Sequence, residues 1–504
     1  MLINKKLYKI TGQIVFVIVF IFFSTLQAKN FEKYNKADNI SDYFSGILLL
    51  NNSKYDESQK YLKKLDGLEQ SHNNFSLRYI FSLVNSGNLN HAFSYSKKIN
   101  QDNKGSFESD LIMGIYYLKN SNFDLSKNYF FKAKTKYSNS ILSQYIADSL
   151  YIWSDLNKSN LATGQLNFNQ LDNSFDNIKK IQNVFLNCYF KSTNTESLYE
   201  DLILNSETNF SRYNYFYAKY LENNGKKDKA KKILEESLKK YPRNLLLNQY
   251  KVDFDNNKKN FDFNCKAEKD NIAELLYIAA NALSSQSLFQ LSNFYLNLAK
   301  YLNKNFHSYD TLLAENFYKI DDFAQAKKIY KKLKNYGDAF NWYSNKQISR
   351  ILIQEDEKNN SLNLLSKAYD QLPNKGVYET FDYAEFLKNN EDFLNSIKYY
   401  TQILSQIEPS HPLYAEATDG RGVAYERLGE WDKAEKDLLA SLKVSPNQAY
   451  VINYLAYSWI EQGIKINKSL EMLKKANKLK ANDPYIIDSL GWALFKLKRY
   501  QESK

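Results

Sequence analysis

Small and large residues recur at fixed intervals along Ala415–Gln448. Counted from Ala415, the small residues Gly422, Ala434 and Ser441 fall at positions 8, 20 and 27, and the large residues Tyr425, Trp431 and Leu438 at 11, 17 and 24. Gly429 stands at 15 and Pro446 at 32. Steps of three and four residues place the marked positions of each half on one helix face. The Gly permits a turn between the halves, and the Pro cannot continue a helix and stops the second one. The pattern predicts two antiparallel helices that approach closely through their small residues, with the large ones filling the space towards the next pair.

The register repeats along the chain. Ser211–Asn244 supplies Ala218, Leu221, Gly225, Ala230, Leu234, Ser237 and Pro242 at the same positions. Ala273–Phe306 places Ala280, Leu283, Phe289, Ser292, Leu296 and Ala299, and His307–Phe340 places Ala314, Phe317, Phe323, Ala326 and Tyr330. Trp342–Asn374 ends on Ala368 and Pro373, and Val377–Pro409 gives Ala384, Leu387, Phe393, Ser396 and Tyr400. Ala449–Asp483 gives Ala456, Trp459, Gly463, Ser469, Leu473 and Ala476. Fainter units start at Asn39, Asn73 and Phe107, carrying Gly46 and Ser58, then Gly87 and Ala92, then Gly114, Ser126 and Phe130. Residues 141–210 fit two degenerate units, and 245–272, short and rich in Asn, Asp and Lys, read as a distorted pair or a hinge. The last unit starts at Pro484 and reaches only position 21, at Lys504. Its missing second helix carries the expectation that the sequence continues beyond Lys504, the alternative being an open end that docks elsewhere.

This pattern resembles the tetratricopeptide repeat, a 34-residue helix–turn–helix unit. The resemblance covers roughly residues 39–504. It implies an all-α fold, an α-solenoid wound as a right-handed superhelix, in which each unit buries its apolar face against its neighbours. The implied organisation is repeats over 39–210, one over 211–244, the distorted unit at 245–272, and a C-terminal array over 273–504 with an incomplete last repeat. In similar arrays the first helix of each pair lines an inner groove that binds proteins or peptides without a cofactor. Its positions 2, 5, 9, 12 and 13 commonly face inward. In the last three units these include Asp419, Glu426 and Arg427, then Tyr450, Asn453, Tyr457 and Ile460, then Asp488, Trp492 and Phe495. Arg427, Tyr450, Asn453, Tyr457 and Trp492 are the candidate partner-binding residues, because Tyr, Trp and Arg anchor protein interfaces. The opposing reading is that several of them only pack against the neighbouring first helix. A family clamp for a partner's terminal carboxylate uses Lys at 5 and Asn at 9. Asp419/Val423 and Asn453/Tyr457 do not match it.

The first residues change where this solenoid is expected to work. Met1–Lys9 is basic, Ile14–Phe23 is an unbroken apolar run, and Ala28 offers a small residue for cleavage. This is the order of a secretory signal peptide spanning residues 1–28, and a ten-residue helix rises only about 15 Å, half of a ~30 Å membrane core. Leu26 is not the ideal small residue before the cleavage site, so an uncleaved anchor is the alternative. The 43% apolar and 15% aromatic content suits a continuous core rather than disorder. The net charge is +12, or +9 without residues 1–28, but the lysines alternate with acids on helix faces, as in Lys226–Lys240. That reads as solvated surface and not as a nucleic-acid site. Cys188 and Cys265 stand 77 residues apart. Units so distant in a solenoid are not usually neighbours, so two isolated thiols are expected. His72, His91, His307 and His411 form no metal or nucleophile motif, and Gly420-Arg421-Gly422 lies inside a first helix rather than in a phosphate loop.

Together these readings lead us to expect a non-enzymatic, exported scaffold or adaptor. It is placed in the periplasm or envelope of a Gram-negative-type bacterium, with protein or peptide partners, no nucleic acid and no cofactor. Peripheral association with the envelope is left open. The alternative is the periplasmic repeat part of a polysaccharide- or protein-export system.

Overall fold

A computed structural model of the chain describes residues 36–504 apart from 73, 137–139, 205–209 and 259–261. The expected signal peptide lies outside the described residues. Among them are 26 α-helices and no strand, and no helix is long and apolar enough to cross a membrane. The chain divides into two compact units, ending and beginning at Tyr336 and Gly337.

The first unit opens with α1 (Ala37–Asn51) and α2 (Tyr55–Leu62), α3 (Phe75–Asn85) and α4 (Leu89–Gln101), and α5 (Phe107–Lys119) and α6 (Phe123–Lys136). The pairs α7 (Ile141–Asp155) with α8 (Leu161–Asn169), α9 (Asp176–Tyr189) with α10 (Thr195–Leu204), and α11 (Ser211–Asn223) with α12 (Lys227–Lys240) follow. Next, α13 (Leu245–Asp255) packs on α11 and α12 as a first helix would, but the next helix in the chain is the long α14 (Glu268–Ser285). It pairs with α15 (Phe289–Leu302), and α16 (Ser308–Lys319) with α17 (Phe323–Leu333).

The second unit contains α18 (Asp338–Gln354) and α19 (Lys358–Asp370), α20 (Val377–Asn389) and α21 (Phe393–Leu404), and α22 (Tyr414–Arg427) and α23 (Trp431–Val444). The pair α24 (Ala449–Glu461) and α25 (Ile466–Leu479) and the single α26 (Pro484–Lys496) complete it.

The turn inside each pair shows the register in the backbone. All eleven units marked out by the sequence have a left-handed residue at position 15, with φ from 58° to 83°. In each, the next amide donates to the carbonyl of position 11, as Glu430 does to Tyr425 and Asp392 to Leu387, both at 2.9 Å. This is a Schellman closure, which satisfies carbonyls that the helix end leaves unpaired. Glycine occupies the position only as Gly87, Gly225, Gly429 and Gly463; elsewhere Ser, Asp, Glu or Lys accepts the strained conformation.

Contacts within each pair follow the small positions. The hydroxyls of Ser58, Ser126 and Ser292, at position 20, donate to the carbonyls of Gly46, Gly114 and Ala280, at position 8, at 2.8, 2.9 and 2.7 Å. A Cβ on Gly114 would stand 2.3 Å from the Phe130 ring, and one on Gly422 3.1 Å from Leu438. Positions 8 and 24 are therefore in direct contact, and Phe130 and Leu438 are fully buried there.

The first unit departs from a simple array in one respect. Helices α14 and α15 pack on the first helices α3, α5, α7 and α9. Phe81 stacks on Phe294 at 4.8 Å, Asn85 donates to the Gln290 carbonyl, and the Gln290 amide donates to the carbonyls of Leu50 and Asn51. Lys54 pairs with buried Asp322 at 3.3 Å. The first-helix face of the N-terminal array, expected to be an open groove, is thus covered by the chain's own later repeat.

The same packing corrects the reading of the cysteines. They are not isolated thiols: Cys188 of α9 and Cys265, just before α14, form a disulfide with Cα atoms 5.8 Å apart. Sequential stacking alone would separate them. Contact between α9 and α14 brings them together.

Candidate functional site

With the inner face of the first unit occupied, the first-helix face of the second unit is the surface with exposed aromatic and charged groups in the expected register. Successive first helices touch there, α20 against α22 and α24 against α26. The side chains bridging them form a strip. Tyr454 of α24 donates to Glu426 of α22 at 2.6 Å. The Trp492 indole of α26 donates to Glu461 of α24. Tyr457 is 38% exposed and lies in the field of both Glu461 and Asp488; partial burial pushes its phenol above the usual range, and the two carboxylates push it further. Trp492 stacks on exposed Phe495 at 5.4 Å with an interplanar angle of 6°.

The other end of the strip is acidic. Asp419 of α22 faces Glu385 and Lys388 of α20 and its own neighbour Glu416. Burial pushes its carboxyl up to about 6, Lys388 opposes this, and the two glutamates add to it. Lys388 is already paired to Glu385 at 2.7 Å, and Tyr400 also donates to Glu385. Arg421 points the other way, to a bidentate bond with Asp437 of α23 at 2.6 and 2.9 Å.

The five candidate residues divide accordingly. Tyr457 and Trp492 are brought together around Glu461 on this face. Arg427 ends α22 with its guanidinium half exposed, 3.7 Å from Glu426. Asn453 lies between, its Oδ1 buried without a hydrogen-bond partner among the described residues. Tyr450 is tied into the fold: its hydroxyl donates to Asp483, the N-cap of α26, at 2.8 Å, and Lys480 sits over its ring. Ile460, expected on the inner surface at position 12, is fully buried with Ala456, Leu473 and Ala493. An aliphatic side chain there gains more by packing on the next pair than by facing water. Tyr454 reaches the adjacent first helix from position 6, which is not an inner-face position; Glu461 holds position 13, which is one, but was not among the five candidates. Glu385, at position 9 of its own unit, was outside the three units that were read.

The lysine run between Lys226 and Lys240 is engaged elsewhere. Lys226 pairs with Glu196, and Lys229 with Glu196 and Glu200 at 2.7 and 2.6 Å. His307 stacks on Tyr336, and His72 bonds the Tyr43 hydroxyl. No group of three or more His, Cys, Asp or Glu among the described residues could hold a metal ion.

Comparison with known proteins agrees with the architecture. A family profile described as the tetratricopeptide repeat matches residues 217–244. A TPR repeat-containing protein of Pseudomonas aeruginosa is 27% identical over 143 residues, which is 28% of this chain and 23% of that relative. The match therefore spans less than a quarter of the relative's length. Among solved structures, yeast Tom70 has 14% identity and a TM-score of 0.36, covering 92% of this chain and 96% of that one. The APC/C hetero-tetramer Cut9-Hcn1 likewise has 14% identity and a TM-score of 0.36, covering 93% and 99%. At these TM-scores neither likeness bears on function. Helix pairs closed by the same turn, with the same small and large positions, define an α-solenoid of helix–turn–helix repeats. The repeats are of the tetratricopeptide type, and residues 217–244 match that family's profile.

Proposed function

We propose that the chain is a non-enzymatic scaffold of the bacterial cell envelope that holds a protein or peptide on the first-helix face of its second unit. The observation that carries this reading is the strip of exposed Tyr457 and Phe495 with half-buried Trp492, beside carboxylates, on repeats of a kind whose usual work is protein binding. Aromatic groups of this kind supply most of the energy at interface centres. An exported location draws support from the signal-like order of residues 1–28 and from the Cys188–Cys265 bond, since disulfides persist mainly in oxidising compartments.

The test is site-specific photo-crosslinking in native envelope fractions. A photoreactive residue at Tyr457 should give a discrete protein adduct, and one at Lys443, on the outer helix α23, should not. Adducts from Lys443 alone would refute the docking face. Fractionation of the same cells tests location: the protein should be released with periplasmic contents, and exclusive recovery from the cytosol would refute it.

A further inference from the structure

The charges of the second unit are sorted by helix beyond α18, which itself carries Lys346 and Arg350 against Asp338 and pairs Lys346 with Asp382 of α20. From α20 onward, the four first helices α20, α22, α24 and α26 carry eight carboxylates against four cations. The three second helices α21, α23 and α25 carry eight cations against four carboxylates. A chain with a net charge of +12 thus presents a negative face on one side of a single array. The pairing within the array sharpens the contrast. Of the four first-helix cations, Arg421 is bound to Asp437 on the outer layer and Lys388 to Glu385. Asp419 and Asp488 form no salt bridge among the described residues; Asp419 lies in the field of Tyr454 and Asp488 in that of Tyr457.

From this we infer that the first-helix face of the second unit takes a Lys/Arg-rich segment of a partner protein. The inference rests on the scaffold reading above and adds the chemistry of the occupant. Asp419 and Asp488 supply carboxylates without a salt bridge, and the exposed rings of Tyr457 and Phe495 suit guanidinium and ammonium groups through cation–π contact. The array already uses this contact internally: Lys496 sits 4.8 Å over the Trp492 ring and Lys465 4.3 Å over Trp459. A segment lying along the strip would meet both carboxylates and exposed aromatic rings. An acidic segment would meet only like charge, which costs affinity and slows encounter.

The experiment is fluorescence anisotropy of the full chain with three labelled peptides: a Lys/Arg-rich one, its Glu-substituted counterpart and a neutral aromatic one. The cationic peptide should bind, and its affinity should fall as salt rises. It should weaken roughly tenfold or more in Asp419→Asn/Asp488→Asn, and further in Asp419→Lys/Asp488→Lys. Lys474→Glu/Lys475→Glu on α25 should leave it unchanged. Far-ultraviolet circular dichroism identical to the parent shows that the variants remain folded. Binding of the acidic or neutral peptide with equal affinity, lost in Tyr457→Ala/Trp492→Ala but not in the charge variants, would overturn the inference and leave the scaffold reading standing. Binding of no peptide of any class would overturn both.

Discussion

Arg212 and Glu274 form a bidentate ion pair across 62 residues, Nε to Oε1 at 2.6 Å and Nη2 to Oε2 at 2.8 Å. The pair joins α11 to α14 and is itself enclosed: Arg212 also donates to Ser308 at 2.6 Å, and its guanidinium stacks over Tyr277 at 3.8 Å. The α14–α15 hairpin is therefore fastened to the first unit by a buried charge pair as well as by apolar contact. Taking a buried pair out of water is costly, and losing one member leaves the other uncompensated. Glu274→Ala should lower the stability of the first unit by about 3–5 kcal/mol, while a joint Arg212→Met, Glu274→Leu replacement should cost far less. Chemical denaturation followed by the fluorescence of the buried Trp153 measures both.

The disulfide acts in the same region. Cys188→Ala/Cys265→Ala releases a loop of 77 residues in the unfolded chain. On a chain-entropy argument this should cost about 4 kcal/mol. Comparing oxidised and reduced wild type with the double variant in denaturant titrations checks it. Thiol labelling of the native, unreduced protein should give no adduct.

The turn at position 15 gives a test of register. Glu391 has φ near 70° and Asp356 near 60° without being glycine. Glu391→Gly and Asp356→Gly should each stabilise the second unit by about 1 kcal/mol, because the left-handed conformation penalises a Cβ. Gly429→Ala should destabilise by a similar amount; a Cβ there would meet nothing within 4 Å, so only the backbone matters. Thermal unfolding of the three variants measures the sign.

Position 20 tests packing rather than backbone. Ala434 and Ala326 are fully buried. Ala434→Trp or Ala326→Trp should destabilise by about 1–3 kcal/mol or more through overpacking. Neutral melting curves for both would mean that the closest helix approach lies elsewhere.

Asp419 predicts a pH dependence. Its folded pKa, about 6, stands above its ordinary value of 3.8, so ionisation is disfavoured in the fold. The group therefore detracts from stability above about pH 6, and the penalty is relieved as pH falls towards 4. Asp419→Asn should accordingly be more stable than the parent at neutral pH, with the advantage vanishing in acid. The groups around it are Glu385, Glu416, Lys388, Tyr400 and Tyr454. Binding of a Lys/Arg-rich peptide should weaken between about pH 7 and about pH 5, which anisotropy across that range reads directly.

Much of this protein was determined by local sequence. Small residues at 8 and 20, large ones at 11 and 24, and a turn at 15 set each helix pair, because a pair closes through contacts within some 34 residues. Ser58 bonding Gly46 and Phe130 filling the space over Gly114 follow from that spacing alone. Tyr457 and Trp492 were placed on one face by the same counting. Tertiary structure decided what lies over each face. Helix α15 is buried on nearly every side from Ser292 to Ala299, and its run of Phe294, Tyr295, Leu296, Leu298 and Ala299 is the one local hint of this. No spacing rule says that this hairpin returns to Phe81 and Asn85, more than two hundred residues back, or that Cys265 thereby reaches Cys188. A repeat register fixes only the contacts between sequential neighbours. The fate of a groove depends on whether distant segments bury more apolar surface by filling it than by leaving it open, and that balance is settled only when the chain is folded.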